Sequence, residues 1–217
     1  MTTVKVKICG ITRKEDLDAA TTAGADAVGF VVGVTASPRN IAIEQATRLF
    51  RQVPPFVKSV LVTIPTSMSE LAEICGLLNP DAVQLHGKNM PSANSIREVL
   101  PNTTLIHAVS ANSADVLETA RLSAKTFGAV LLDSLTDGQY GGTGTTHDWT
   151  ISKQIRRAIY PAPLILAGGL TPENVAEAVR VVHPYAVDVS SGVEQQPGIK
   201  DNQKIIKFIK NAKNVKT

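Results

Sequence analysis

The chain has 217 residues, 43% of them apolar and 19% charged, with a net charge of +3 and a pI of about 8.9, the balance of an ordinary soluble globular protein. Two cysteines are too few for a disulfide framework or a cysteine-based zinc site, and His86, His107, His147 and His183 lack metal-ligand spacing. The mild basicity gathers only at Lys204, Lys207, Lys210, Lys213 and Lys216, whose i, i+3 spacing reads as the wet face of a terminal helix rather than a nucleic-acid site.

The opening MTTVKVKICGITRK has charge on both sides of a short apolar run and lacks the longer apolar core and cleavage site of a signal peptide. No stretch reaches the ~18 apolar residues of a membrane span, so the expected location is the cytoplasm, away from membranes. One pattern then repeats to the end. A short β-branched or aliphatic run closes on glycine or a polar residue, and about ten residues of helical pattern follow. The strands are expected at 4–9, 26–32, 57–62, 81–86, 104–109, 128–133, 163–167 and 186–190. Between them, Leu71, Ile74 and Leu78 share a helix face, as do Val175, Ala178, Val179 and Val182, and Ile205, Phe208, Ile209 and Ala212. Thr12 with Glu15 and Ser67 with Glu70 have capping-box spacing, and Thr171-Pro172 reads as an N-cap with proline at the first helical position.

Near-continuous apolar strands separated by helices imply a parallel sheet with helices on its outside. Eight such units in this length fit a single α/β domain over residues 1–217, a closed (β/α)8 barrel with short loops. The alternative is an open doubly wound sheet. The barrel is favoured because no G-x-G-x-x-G follows the first strand and because glycine-rich turns follow the seventh and eighth, where barrels often bind phosphate.

In a barrel every strand points its C-terminal end at one mouth, where the active site is built. The first strand ends in KICGIT and puts Cys9 at the rim, as a base or nucleophile or as a small apolar filler. Cys75 lies on a helix face with Leu71 and Leu78 and reads as core. The sixth strand ends in LLDS. Its Asp133 follows apolar neighbours, an environment that can favour the protonated form a general acid requires; a loop cap or an ion-pair partner is the alternative. Three glycine-rich segments come next: Gly141-Gly142-Thr143-Gly144, Gly168-Gly169 after the seventh strand, and Ser190-Ser191-Gly192 after the eighth. The last two, on adjacent strands, make the stronger case for backbone N–H groups gathered around a phosphate. Arg39, in ASPRNI after the second strand, can fork onto a carboxylate or stand as a solvated charge. His86, ending the fourth strand, is a polar wall, a proton carrier or a structural hydrogen-bonder. Asp188, inside AVDVSSG, points into the barrel or pairs structurally; it carries no assigned chemistry and counts only among the substrate-binding candidates.

Taken together, KICGIT (7–12), GADAVGF (24–30), SPRNI (37–41), DAVQLHG (81–87), LLDS (131–134), YGGTG with DW (140–144 and 148–149), AGGLTPENV (167–175) and VDVSSGVE with PGIKD (187–194 and 197–201) resemble the phosphoribosylanthranilate isomerase family of tryptophan biosynthesis, in order and across nearly the whole chain. The resemblance implies an Amadori rearrangement of N-(5′-phosphoribosyl)anthranilate to 1-(2-carboxyphenylamino)-1-deoxyribulose 5-phosphate, with no metal or organic cofactor. It implies Cys9 as general base, Asp133 as general acid, Arg39 as the anthranilate-binding arginine, and a phosphate cradle around Gly168, Gly169, Ser191 and Gly192. It also implies a loop over the substrate at Gly141 and Gly142. The partner is a small phosphosugar-anthranilate substrate, and the chain a monomer or homodimer. The chain departs from the family at the third strand, LVTIPTS, and at His147, where the family carries an aromatic residue. Both departures bear on substrate fit. The competing readings are another phosphosugar barrel, an epimerase or the histidine-pathway isomerase, and a non-catalytic barrel that binds a phosphate ligand. Cys9 argues against the histidine enzyme, which carries an aspartate at the first strand.

Overall fold

A computed structural model describes residues 3–87, 90–134 and 148–215. Eight parallel strands close into a barrel: β1 (Lys5–Cys9), β2 (Ala27–Val31), β3 (Lys58–Thr63), β4 (Ala82–Leu85), β5 (Thr104–Ser110), β6 (Ala129–Asp133), β7 (Leu164–Leu166) and β8 (Ala186–Val189). Each expected strand is present within about a residue or two of its expected ends. The ring closes where β1 pairs with β8, Lys7 opposite Asp188. Helices follow the strands in turn: α1 (Lys14–Thr22), α2 (Ile43–Phe50), α3 (Met68–Leu78), α4 (Ala93–Val99), α5 (Val116–Thr126), α6 (Trp149–Ala158), α7 (Val175–Val182) and α8 (Asn202–Lys213). No helix among the described residues is long and apolar enough to cross a membrane.

The strand period of two sorts side chains into two layers. Val6, Ile8, Val28, Phe30, Leu61, Leu85, Val130 and Leu132 point outward and fill the space under the helices. Val60, Val62, Ala82, Ile106, Leu131, Ile165 and Ala186 point inward and fill the barrel, so the interior is a packed core rather than a pore. Cys9 belongs to this inner layer at its upper end, and Cys75 packs in the outer one as expected.

Two expected helix starts differ. Thr12 does not cap α1, because its hydroxyl donates instead to the Gly198 carbonyl; Arg13 takes the N-cap position without a side-chain bond. The helix after β7 begins at Val175 rather than Pro172. Thr171 accepts from the Glu173 N–H, and Asn174 spans back to Thr171 N and Gly169 O, so a turn precedes α7. Ser67 does cap α3, accepting from Glu70 N at 3.1 Å. The lysine series on α8 is less free than expected: Lys204 reaches the Glu194 carbonyl and Lys213 the Gly24 carbonyl.

Beyond β8 the chain makes a single 3-10 turn (Ser191–Val193) and then a small antiparallel hairpin, β9 (Glu194–Gln196) with β10 (Ile199–Lys200). The sequence reading does not anticipate this hairpin. Gly141, Gly142 and His147 lie outside the described residues.

Candidate active site

The C-terminal ends of the strands frame one cavity. Its wall includes Cys9, Arg39, His86, Asp133, Gly168, Gly169, Asp188, Ser190, Ser191 and Gly192, so every described candidate from the sequence meets there. Val62 and Ile64 line it as well, which puts the divergent third-strand segment against the ligand space.

Cys9 ends β1 and Asp133 ends β6, three strands away around the ring. The Asp133 backbone is fixed by Ala111 N–H, which donates to its carbonyl at 2.7 Å. Burial pushes the Cys9 thiol above its ordinary range, and Lys7 pulls against that shift. Burial thus opposes the thiolate, and the Lys7 ammonium favours it.

Gly168 and Gly192 shape the end of the cavity made by the seventh and eighth strands. Gly168 has φ +81, and a Cβ there would lie 2.0 Å from Ser134 Oγ. A Cβ on Gly192 would lie 1.9 Å from the Leu170 carbonyl oxygen. Both positions therefore exclude any side chain, and the exclusion keeps two backbone turns close together. Such turns present N–H groups to an anion at short range.

Arg39 is the largest departure from expectation. It is not a solvated charge: its residue is 6% exposed, and its fork already holds a carboxylate of its own chain. Nε and one terminal nitrogen donate to the two oxygens of Glu194 at 2.8 Å and 2.7 Å. Lys200, fully buried, donates to the same carboxylate at 2.9 Å and to the Ser190 carbonyl at 3.1 Å. Burial raises the Glu194 carboxyl, but Arg39 and Lys200 outweigh it and hold the group below its ordinary range. Three N–H groups of Arg39 remain for a ligand.

His86 is fixed by a network under the cavity floor. Gln84 Oε1 accepts from Lys7 Nζ at 2.9 Å, which leaves the Gln84 amide nitrogen to donate to His86 Nε2 at 2.7 Å. Burial, with Lys7 nearby, lowers the imidazole to about 4. Burial thus favours the neutral imidazole at His86, which lines the cavity as a polar wall. Asp188 does both things considered for it: it points into the barrel and pairs with Lys7 at 2.9 Å.

Lys7, Gln84, Glu194 and Lys200 were not singled out from the sequence. Lys7 had a usable signal, since KVKIC alternates so that Lys7 shares a strand face with Cys9. Glu194 and Lys200 had none beyond their place in VDVSSGVE and PGIKD. Among the described residues, no group of three or more His, Cys, Asp and Glu is arranged to hold a metal ion.

Residues 6–211 match the family model described as N-(5'phosphoribosyl)anthranilate (PRA) isomerase. The N-(5'-phosphoribosyl)anthranilate isomerase of Haloferax volcanii is 44% identical over 211 residues, covering 96% of this chain and 93% of its own. The crystal structure of phosphoribosyl anthranilate isomerase from Thermotoga maritima superposes with a TM-score of 0.86 at 42% identity, over 97% of this chain and 98% of that one. A phosphoribosyl anthranilate isomerase structure in complex with reduced 1-(o-carboxyphenylamino)-1-deoxyribulose 5-phosphate superposes with a TM-score of 0.82 at 39% identity, over the same shares. A closed barrel with its candidate residues gathered at one mouth, matched over nearly its full length, leaves one conclusion: the chain belongs to the N-(5'-phosphoribosyl)anthranilate isomerase family of tryptophan-biosynthesis enzymes.

Proposed function

We propose that this isomerase runs the Amadori rearrangement with Asp133 as general acid and Cys9 as general base. The observation that carries the reading is that both residues line one cavity, together with Arg39 and the glycine turns.

The chemistry requires two groups at different atoms. Asp133 donates a proton to the furanose ring oxygen. The C1–O bond breaks, and the amine nitrogen lone pair forms the C1=N bond of an iminium ion. That cation acidifies the hydrogen on C2. The Cys9 thiolate takes this proton, and the released electron pair forms the C1=C2 enolamine. A proton then adds at C1 and one leaves the C2 hydroxyl, which yields the ketone. Acid and base each contribute about 10²–10⁴-fold in such reactions.

The ends of the substrate are held apart from the reacting carbons. The phosphate sits in the turns at Gly168, Gly169, Ser191 and Gly192, whose close backbone approach suits an anion. The ring carboxylate takes the remaining N–H groups of Arg39, with Glu194 holding the other edge of the guanidinium. Fixing both ends turns proton transfer into a step between positioned groups. His86, Asp188 and Ser190 complete the wall on the substrate side. The enzyme acts in the cytoplasm.

The test is turnover of freshly prepared phosphoribosylanthranilate in deuterated water, followed by loss of its anthranilate fluorescence. The expected product carries solvent deuterium at C1. Product that keeps the original C2 hydrogen wholly at C1 would mean either return of the same proton by the base or a hydride shift, and undiminished turnover in Cys9→Ser would then remove Cys9 as the base.

A further inference from the structure

Lys7 precedes Cys9 by two residues on β1, so the strand period turns both side chains toward the barrel axis. The Lys7 side chain is 4% exposed. Its ammonium donates to Asp188 Oδ1 on β8 and to Gln84 Oε1 on β4, each at 2.9 Å. Two of its three N–H groups are thereby fixed, and its charge lies close enough to the Cys9 sulfur to favour the thiolate. The proximity is visible at Gly29, the β2 partner of Cys9. A Cβ on Gly29 would lie 2.9 Å from Cys9 Sγ and 3.1 Å from Lys7 Nζ. Sulfur and ammonium therefore border the same small gap, which a glycine leaves open.

We propose that Lys7 is a positioning residue for proton abstraction: its ammonium, held between Asp188 and Gln84, stabilises the thiolate of Cys9 and sets how much base is present at neutral pH. The inference rests on the reading of Cys9 as base and adds the group that makes it one. A salt bridge wholly inside a barrel is weak evidence of stability. Here it fixes a charge beside the sulfur.

Other charges face Cys9 from neighbouring elements. Asp188 on β8 opposes the thiolate. Lys200 on β10 and Arg39 after β2 favour it. His86 on β4 is neutral, and Asp133 on β6 lines the same cavity. Burial opposes the thiolate most, and Lys7 is the foremost group acting against burial. Lys7 itself stays charged: burial pulls it down, but Asp188 and Cys9 push it up to about 12.

The experiment is the pH dependence of Cys9 alkylation by iodoacetamide in the intact protein, read by peptide mass spectrometry that separates Cys9 from Cys75. In Lys7→Met the Cys9 titration is expected to rise by about 1–3 pH units, the usual effect of losing one adjacent opposite charge. Alkylation at neutral pH then slows about tenfold or more. In Asp188→Asn the shift has the opposite sign and alkylation speeds up. A merely structural ion pair gives no such opposition, since either substitution loosens the same packing. Where Lys7→Met does not fold, the Lys7→Met/Asp188→Asn double variant compared with Asp188→Asn alone carries the same test, with slower alkylation expected in the double. An unmoved titration overturns the role of Lys7 and leaves Cys9 as base intact. A thiol that moves while the pH profile of kcat/KM does not move with it overturns Cys9 as base, and the catalytic role of Lys7 with it. Movement of both supports the proposal.

Discussion

Arg39 and Glu194 stand 155 positions apart in the chain and meet as a two-pronged ion pair inside the protein, with contacts of 2.8 Å and 2.7 Å. The pair aims one edge of the guanidinium at the protein and leaves the other for the cavity. On the proposed role of that edge, Arg39→Ala removes charged hydrogen bonds to the substrate carboxylate, each worth about 1.5–3 kcal/mol. KM is expected to rise about tenfold or more with a smaller change in kcat, and steady-state kinetics checks this. An unchanged KM would count against the carboxylate role.

Glu194→Gln has a different outcome, because it strands two buried cations. Losing one partner of a buried ion pair costs roughly 3–5 kcal/mol, and the loss should appear in the denaturant midpoint. Its pH dependence follows from the low-held carboxyl. A depressed folded-state pKa contributes stability that is present above the ordinary carboxylate value of 4.5 and is lost as pH falls through the folded value. The stability gap between wild type and Glu194→Gln should therefore be full at pH 7 and narrow below about 4.5. A gap independent of pH would separate Glu194 from the ion-pair network.

Gly192→Ala puts a methyl group 1.9 Å from the Leu170 carbonyl oxygen, so one of the two turns must move. Overpacking of this kind costs about 1–3 kcal/mol. The variant should bind inorganic phosphate more weakly, measured as weaker competitive inhibition, and show a raised KM. Wild-type inhibition by phosphate would place the anion elsewhere.

Cys9 in the wild type should alkylate slowly at neutral pH and about tenfold faster for each unit of rising pH, because burial holds the thiol above its ordinary value of 9.0. A rate that levels off near pH 7 would mean a resting thiolate.

Much of this was legible in the sequence, for identifiable reasons. The strands are short apolar runs bounded by turn residues, so all eight are where the pattern puts them. Position at a strand end sufficed to bring Cys9, His86, Asp133 and the glycine turns to one cavity, because a barrel has one catalytic mouth. The environment of Arg39 was not legible. Its partner Glu194 lies on a hairpin added after the last strand, and no local spacing links residues so far apart. Lys7 was legible only in part: strand alternation puts it on the Cys9 face of β1, but its partners Gln84 and Asp188 come to it only when the sheet closes. Thr12 shows local propensity losing to a tertiary contact, its hydroxyl drawn from the helix cap to the Gly198 carbonyl.

The opposed roles of Cys9 and Asp133 are tested most directly by kcat for Cys9→Ser and Asp133→Asn, measured beside their melting temperatures. Serine is a far weaker base than a thiolate, and an asparagine amide is far too weak an acid to protonate the ring oxygen. Each variant is expected to melt within a few degrees of wild type and to lose about 10²-fold or more in kcat. Wild-type turnover in either folded variant would contradict the assignment of that residue.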